Sequence, residues 1–365
     1  MFEDIKPYSD EQTAQAMQRV AESPYIDKIA GFLYPGLDPQ VLRDTLKSIK
    51  GVDDFQTRVM YGAVKSIIDK TTTGFSYSGL ENFEAGKGYL MLSTHRDIVL
   101  DPALIQWVLK ANNMPLTEIA AGDNLISTQL LEDLMRSNRM ITVRRSRNPR
   151  ELYSASVELS AYMRQRLHDE NPASIWIAHR NGRTKDGKDA TEQGLLKMIS
   201  LSGSGDFVEN IEELNIMPVA ISYELESCDL LKATEVYMKR STGEYHKQPG
   251  EDTRSILTGI MQPKGRVHIT FCEPLTHSEI VEAASYDKND RYRHLAETID
   301  RKLMSGFKIR PVNIAAAQRL KGEEIQDKEA EAILSKLLSR TDNPEISKVL
   351  LEIYSGPATG RTDAR

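Results

Sequence analysis

The chain has 365 residues, with 47 lysines and arginines against 53 aspartates and glutamates, so its formal net charge is −6 with histidine neutral. This acidic balance argues against a general nucleic-acid binder, which usually presents a strongly basic face. Hydrophobic residues make up 40% and charged residues 27% of the chain, which excludes disordered and fibrous proteins and fits a globular one.

The first 72 residues predict an N-terminal helical region. The stretches Glu11–Glu22 and Val41–Ile49 have helical patterning, and breaks such as Ser23-Pro24 separate them. No strand-like alternation occurs there, so we expect helices only.

From Phe75 onward, short apolar runs rich in β-branched and aromatic residues alternate with longer helical patterns. Strands between helices imply a largely parallel sheet that is covered on both faces. The predicted fold class is therefore α/β, a mostly parallel sheet covered by helices, with helical N-terminal and C-terminal regions. The predicted strands are Gly88–Ser93, Thr117–Ala121, Met140–Val143, Ser174–Ala178, Ile216–Ser222 and Arg266–Phe271.

The remaining patterns are helical and complete a division of the chain. Apolar residues recur at helical spacing in Glu151–His168, and the pattern returns in Glu279–Ser305 and Asp327–Ser339. The last eleven residues, 355–365, have the Gly, Pro, Thr and Asp content of a loose tail. We therefore predict a helical region 1–72, an α/β domain 73–275, a helical region 276–354 and a flexible tail 355–365.

The cysteine content and the N-terminus predict a cytoplasmic protein. Only Cys228 and Cys272 are present, too few for a disulfide framework and without the spacing of a zinc or redox motif. The N-terminus lacks the basic start and apolar run of a signal peptide. No window approaches the roughly 18 consecutive apolar residues of a membrane span, so any membrane contact is expected to be peripheral.

The segment Ser93–Pro102 is the first candidate site, because it follows a predicted strand and contains His95, Asp97 and Asp101. In open α/β sheets, ligands bind at the carboxyl ends of strands. A histidine near a carboxylate can act as a general base, with the carboxylate fixing the tautomer and stabilising the imidazolium. Helix capping by Asp97 or Asp101 is the simpler alternative for an isolated pair.

Other catalytic classes fit this segment less well. His95-Arg96-Asp97 invites comparison with the protein kinase catalytic loop, but Pro102 stands where that loop requires Asn. The chain lacks a kinase glycine-rich loop and an Asp-Phe-Gly element, and it lacks the G-x-S-x-G elbow of serine hydrolases. Metal binding by His95, Asp97 and Asp101 stays open, although no second histidine-rich segment follows.

Two basic segments follow other predicted strands. Six arginines and no acidic residue lie between Arg136 and Arg150, and Arg144 and Arg145 come directly after a strand. A guanidinium group there could hold a phosphate bidentately, whereas a solvated basic face is the simpler interpretation.

The second basic segment, Ala178–Lys188, also begins at the end of a strand. Gly182 allows close backbone approach, and Arg183 and Lys185 supply anion contacts, although exposed turns of this composition are common. One segment with a base and two with cations together predict a site for a phosphorylated substrate with an abstractable proton.

In this order, the segments resemble the motif blocks of the glycerol-phosphate and lysophospholipid acyltransferase family, over roughly Phe75 to Lys239. The family's first block is a His and an Asp with four residues between them, whereas five separate His95 from Asp101. The resemblance implies that either Asp101, displaced by one insertion, or Asp97 orients the histidine. Asp101 is favoured, because its Asp-Pro pair is also similar to family members from plastids.

The later blocks are matched with departures. Met140–Ser146 resembles the second block, a strand ending in Arg, and Pro218–Glu224 resembles the fourth, a strand with Pro near its start. Asn181–Lys185 resembles the third, a Glu-Gly pair with Arg close behind. Asn181 stands where the family has Glu, and the spacing to Arg183 is one residue shorter.

The resemblance implies acyl transfer from a thioester, acyl-carrier protein or coenzyme A, to a hydroxyl of glycerol 3-phosphate or lysophosphatidate in phospholipid biosynthesis. His95 would be the general base, oriented by Asp101 or Asp97, with no metal and no cofactor besides the co-substrate thioester. Peripheral contact with a membrane is expected because the acceptor or product is a lipid. The residues expected to bind the acceptor are Arg144, Arg145, Gly182, Arg183 and Lys185.

Two alternatives to acyl transfer remain. One is a metal-dependent phosphoester hydrolase that uses His95, Asp97 and Asp101. The other is a non-catalytic lipid- or phosphate-binding protein of the same fold, suggested by the altered Asp spacing and by Asn181.

Overall fold

A computed structural model describes residues 2–34, 36–288 and 290–360, and its described part contains a seven-stranded sheet. The strand order is β1-β7-β6-β2-β5-β3-β4. The strands are β1 (Thr72–Ser78), β2 (Leu90–Ser93), β3 (Glu118–Gly122), β4 (Met140–Val143), β5 (Ile175–Ala178), β6 (Ile216–Tyr223) and β7 (Gly265–Phe271).

Helices cover this sheet and form both ends of the chain. The N-terminal ones are α1 (Asp10–Glu22), α2 (Ile26–Leu33), α3 (Pro39–Lys47), α4 (Val52–Phe55), a π-helical segment (Gln56–Met60) and α5 (Tyr61–Thr71). Those between strands are α6 (Leu100–Ala111), α7 (Gln129–Ser137), α8 (Pro149–His168), α9 (Gln193–Ile199), α10 (Phe207–Glu212), α11 (Asp229–Thr242) and α12 (Glu251–Met261). The C-terminal ones are α13 (His277–Ala284), α14 (Arg291–Gly306), α15 (Pro311–Lys321), α16 (Lys328–Leu338) and α17 (Pro344–Thr359).

The predicted fold class is confirmed, with one exception to the parallel arrangement. Strands β2 to β6 all run in the same direction, while β7 pairs antiparallel with β6 and β1 pairs parallel with β7. The carboxyl ends of β2, β4 and β5 therefore meet at one edge of the sheet. Loops that follow these three strands are brought together there.

The core lies on both faces of the sheet, because the central strands are mostly apolar and their side chains are buried on both sides. In β2, Leu90 and Leu92 pack beneath α8, α9 and α14, while Met91 packs on the opposite face with α5 and α6. All three side chains are fully buried. This continuous burial is what parallel strands covered on both sides require.

The terminal regions have apolar clusters of their own. Met17 and Val20 of α1 pack with Leu42 and Leu46 of α3, and Leu134 of α7 contacts this cluster. At the other end, Ala315 and Ala316 of α15 pack with Leu334 and Tyr354. Within the described ranges, no helix combines the length and the apolar character needed to cross a bilayer.

Three local predictions were wrong. Strand β1 was not predicted, because it is an edge strand whose residues are mostly exposed. The predicted helix Glu279–Ser305 is two helices, because α13 ends at Ala284 and α14 begins at Arg291.

The third correction concerns the tail. Helix α17 continues to Thr359, so residues 355–359 are helical and not loose, while 361–365 lie outside the described residues. Ser355 is buried, and the absence of a side chain at Gly356 lets α17 pack directly on Gly187. This tertiary contact orders a segment whose composition alone is typical of a turn.

Candidate active site

His95 lies in the loop between β2 and α6, and the first turn of α6 carries its carboxylate partner. The Nδ1 atom of His95 is 3.2 Å from Oδ2 of Asp101, whose side chain is fully buried. In the described part of the chain, the ring's hydrogen bonds involve Nδ1 alone, which leaves Nε2 available on the cleft side. A base held in one tautomer by a carboxylate is the arrangement that proton abstraction requires.

Hydrogen bonds hold the Asp101 carboxylate in place. Its Oδ2 accepts from the backbone N–H of Arg96 at 2.6 Å and of Asp97 at 2.8 Å, and its Oδ1 accepts from the Tyr223 hydroxyl at 2.9 Å. Burial raises the pKa of Asp101, while the His95 ring and the Asp97 N–H oppose this. Burial beside Asp101 also raises the pKa of Tyr223 well above its ordinary value, so the phenol stays a donor.

Asp97 has a different position from the one that orientation of His95 would need. Its Oδ1 accepts from the N–H groups of Val99 at 2.9 Å and Leu100 at 2.8 Å, at the start of α6. Its Oδ2 accepts from the Ser227 hydroxyl. Of the two predicted carboxylates, the structure therefore brings Asp101 to the ring, while Asp97 binds backbone N–H groups where α6 begins.

An open cleft of about 600 Å³ lies in front of His95, a size typical of small-molecule sites. One wall is apolar and comes mainly from α8, α9 and the strand ends, and the rim is basic. The sequence-predicted residues that line the cleft are His95, Arg144, Arg145, Gly182, Arg183 and Lys185. The apolar wall includes Ala120, Val143, Leu152, Ala155, Leu159, Leu195 and Met198.

The two arginines after β4 differ in their partners. Arg144 forms ion pairs with Asp4 and with Glu158, the latter at 3.6 Å. Within the described residues, the Arg145 guanidinium has no carboxylate partner, and the backbone N–H of Arg145 donates to Asp123 at 3.1 Å. Arg145 is therefore the guanidinium of this pair that is free to bind an anion.

The basic loop, defined here as residues 182–189, forms the opposite part of the rim. The NH1 atom of Arg183 is buried and has no hydrogen-bond partner among the described residues. Lys185 forms an ion pair with Glu235, and burial lowers the pKa of Lys185 while that pair opposes the change. An unpartnered buried donor is costly in a folded protein unless a ligand or water satisfies it, so Arg183 is the strongest anion-binding candidate here.

Several cleft residues were missed by sequence reasoning. Arg180 lines the cleft, and its Nε is buried without a partner among the described residues. Lys247 lies in the connection between α11 and α12, and it pairs at 2.6 Å with Asp252 in the first turn of α12. No local pattern distinguishes these two from ordinary surface residues, because only the course of the chain brings them to the rim.

The metal alternative finds no support in the side-chain geometry. Within residues 2–34, 36–288 and 290–360, no three His, Cys, Asp or Glu side chains converge as metal ligands would. The oxygens of Asp97 and Asp101 accept instead from backbone N–H groups and from hydroxyls.

The chain matches a family model and is similar to several solved structures. Residues 74–222, the segment that carries His95 and both basic strand ends, match the family model described as Acyltransferase. Seven solved chains are similar to this one. One is the crystal structure of the 1-acyl-sn-glycerophosphate (LPA) acyltransferase PlsC from Thermotoga maritima, with 13% identity and a TM-score of 0.41 over 80% of this chain and 94% of that chain. A search of curated proteins finds no match.

The fold and the cleft define an α/β enzyme with a histidine and carboxylate pair beside an anion-binding rim. The match of residues 74–222 to the family model then supports an acyltransferase enzyme. The family-level expectation drawn from the sequence is thereby confirmed.

Proposed function

We propose that the protein transfers a fatty acyl group from a thioester to a hydroxyl of a phosphorylated glycerol, either glycerol 3-phosphate or lysophosphatidate. The observation that carries this proposal is the shared cleft, where His95 lies between an apolar wall and a basic rim. The apolar wall would bind the acyl chain, and the basic rim would bind the phosphate. The hydroxyl and the thioester carbonyl would then meet beside the histidine.

In this reaction, Nε2 of His95 removes the proton of the acceptor hydroxyl as its oxygen attacks the thioester carbonyl. The new C–O bond forms, the C–S bond breaks, and the imidazolium returns the proton to the leaving thiolate. Asp101, 3.2 Å from Nδ1, stabilises the imidazolium and fixes the tautomer. A positioned base of this kind contributes about 10²–10⁴-fold to the rate. No covalent acyl-enzyme is needed.

The acceptor's phosphate would bind at the rim. Arg183 has a buried donor without a partner among the described residues, and Arg145 has no carboxylate partner in the same ranges. Guanidinium groups match the geometry of a phosphate and form charge-assisted hydrogen bonds with it. Lys185 and the open backbone at Gly182 would complete the site.

The acyl chain would lie along the apolar wall. Leu152, Ala155 and Leu159 recur along one face of α8, and Leu195 and Met198 of α9 lie across from them. Burying a chain of methylene groups gains about 0.8 kcal/mol for each one. Binding there would place the thioester, carried by acyl-carrier protein or coenzyme A, towards His95 and the rim. Peripheral membrane contact is part of the same proposal, because the product is a lipid.

The test measures thiol release by the purified protein from acyl-coenzyme A and acyl-carrier protein thioesters, with glycerol 3-phosphate or lysophosphatidate present. We expect acceptor-dependent release that His95→Ala reduces by 10²-fold or more. Binding of the acceptor to His95→Ala, measured by calorimetry, should be retained. Release that is unchanged in this variant would refute His95 as the base. If no donor and acceptor pair reacts, the proposal fails, and a phosphatase assay with and without chelator examines the hydrolase alternative.

A further inference from the structure

We infer that the C-terminal helix α17, which lies outside the family-matched segment, positions the basic loop relative to His95. The inference rests on the proposed function for its kinetic consequences, although its structural basis is independent of that function. The contacts that carry it connect α17 to the loop directly and through Arg96. Others connect the loop to the backbone of His95.

The direct contact is between two glycines. Gly187 of the basic loop has a φ of 78°, and an ideal Cβ there would lie 2.6 Å from the carbonyl oxygen of Ile353. At Gly356 of α17, an ideal Cβ would lie 2.8 Å from Cα of Gly187. Two backbones meet here with no side chain between them. The location of the loop is therefore set by the location of the helix.

A second connection runs through Tyr354, whose side chain is 2% exposed. Its hydroxyl donates to Oδ2 of Asp229 at 2.7 Å and accepts from the backbone N–H of Glu226 at 3.1 Å. The Nδ2 atom of Asn313 in α15 donates to the Tyr354 carbonyl oxygen at 2.8 Å. Helix α17 is thus joined to the loop that follows β6.

Glu226 also contacts Arg96, which belongs to the catalytic segment. Arg96, next to His95 in the chain, is buried and donates through NH1 to Glu226 at 3.0 Å and through NH2 to Asp189 of the basic loop. Lys232 donates to Glu226 and to the Arg96 carbonyl oxygen, both at 2.6 Å. A single buried guanidinium therefore holds both carboxylates at a fixed distance from His95.

The basic loop is also joined directly to the backbone of His95. The N–H of Thr184 donates to the His95 carbonyl oxygen at 2.8 Å, and the Thr184 hydroxyl donates to Oδ1 of Asp189 at 2.5 Å. Residues on either side of Lys185 are thus fixed to the catalytic segment, while Gly187 is fixed to α17. We assign a positioning role to Tyr354, Gly356 and Arg96, because they would affect phosphate binding only through the basic loop.

The variant that tests this is Gly356→Ala. An added methyl group must displace Gly187, so we expect the KM for glycerol 3-phosphate, or for whichever phosphorylated acceptor the wild type uses, to rise about 10- to 100-fold. The KM for the acyl thioester should change little. Gly31→Ala is the matched control, because it is also a helical glycine and its ideal Cβ has nothing within 4 Å. We expect wild-type kinetics from it.

A further measurement separates this inference from the proposed function. Hydrogen exchange of the backbone amides of residues 182–189 should accelerate in Gly356→Ala and in Tyr354→Phe, and not in Gly31→Ala. This readout needs no activity, so it decides the inference even if the wild type transfers no acyl group. Unchanged exchange in the loop, with a lowered melting temperature and an unchanged acceptor KM, would show that α17 only stabilises the fold and would overturn the inference.

Discussion

The Tyr223 hydroxyl donates to one oxygen of the Asp101 carboxylate at 2.9 Å, while His95 meets the other oxygen at 3.2 Å. Tyr223 is the last residue of β6 and Asp101 lies in the first turn of α6, so the two come together only because β2 and β6 are neighbours in the sheet. The hydroxyl favours the ionised carboxylate, which is the state that stabilises a protonated His95.

Replacing this donor should change the pH dependence of the enzyme. In Tyr223→Phe, the ionised form of Asp101 loses a hydrogen bond, so the pKa of Asp101 rises. We expect the acidic limb of the kcat/KM profile to move up by about one pH unit, which corresponds to about 1.4 kcal/mol. A profile with wild-type limbs and a uniformly lower rate would mean that Tyr223 is important for packing alone.

Exchanging each carboxylate for an amide should separate the roles of the two aspartates. Asp101→Asn removes the charge that supports the imidazolium and favours the wrong tautomer, so we expect kcat to fall by about 10²-fold or more. Asp97→Asn is the matched control. It weakens the hydrogen bonds of Asp97 to the start of α6 and to Ser227, with an expected loss of about 1–3 kcal/mol in stability and little change in kcat. Steady-state kinetics with urea unfolding measure both, and the reverse order of effects would assign the orienting role to Asp97.

The two arginines after β4 should also behave differently. Arg145 has no carboxylate partner in the described ranges, whereas Arg144 is paired with Asp4 and Glu158. We expect Arg145→Ala to raise the KM for the phosphorylated acceptor by at least about 10-fold, and Arg144→Ala to change it by less than about 3-fold. Initial rates over a range of acceptor concentrations decide this. An unchanged KM in Arg145→Ala would remove that residue from phosphate binding.

Acid stability should depend on His179, which is fully buried behind the cleft. Its Nδ1 lies 3.3 Å from the Thr191 hydroxyl, and burial lowers its pKa from 6.5 to about 4. Between these values the unfolded chain binds more protons than the folded one, so this group contributes stability above pH 6.5 that is lost as the pH falls towards 4.

The variant His179→Gln removes this titration. Relative to the wild type, its free energy of unfolding should therefore improve as the pH falls from about 6.5 to 4, by on the order of 3 kcal/mol, and should show a constant difference above pH 7. Chemical denaturation at each pH provides the measurement. A difference that does not vary with pH would mean that His179 is not held neutral by burial.

Much of the fold was predictable because most of its strands can be recognised in the sequence as short apolar runs. Strands that are largely buried are rich in apolar residues, so β4 was predicted with its observed bounds and β2, β3, β5, β6 and β7 to within two residues at each end. Strand β1 has no such signal, since an exposed edge strand needs no apolar face. The break between α13 and α14 was missed although the sequence from 285 to 290 is mostly polar, because apolar residues of both helices pack on the same core.

The sequence by itself determined which segments could form the site. His95, Arg145 and Arg183 each follow a strand, and parallel strands bring their carboxyl ends to one edge. The tertiary structure alone decided that Asp101 meets the ring, that Asp4 neutralises Arg144, and that Gly356 packs on Gly187. The last two contacts join residues more than a hundred positions apart, so no local sequence pattern predicts them. Asp101 and Asp97 are both close to His95 along the chain. Asp101 is the partner of the ring because Asp97 instead accepts hydrogen bonds at the start of α6.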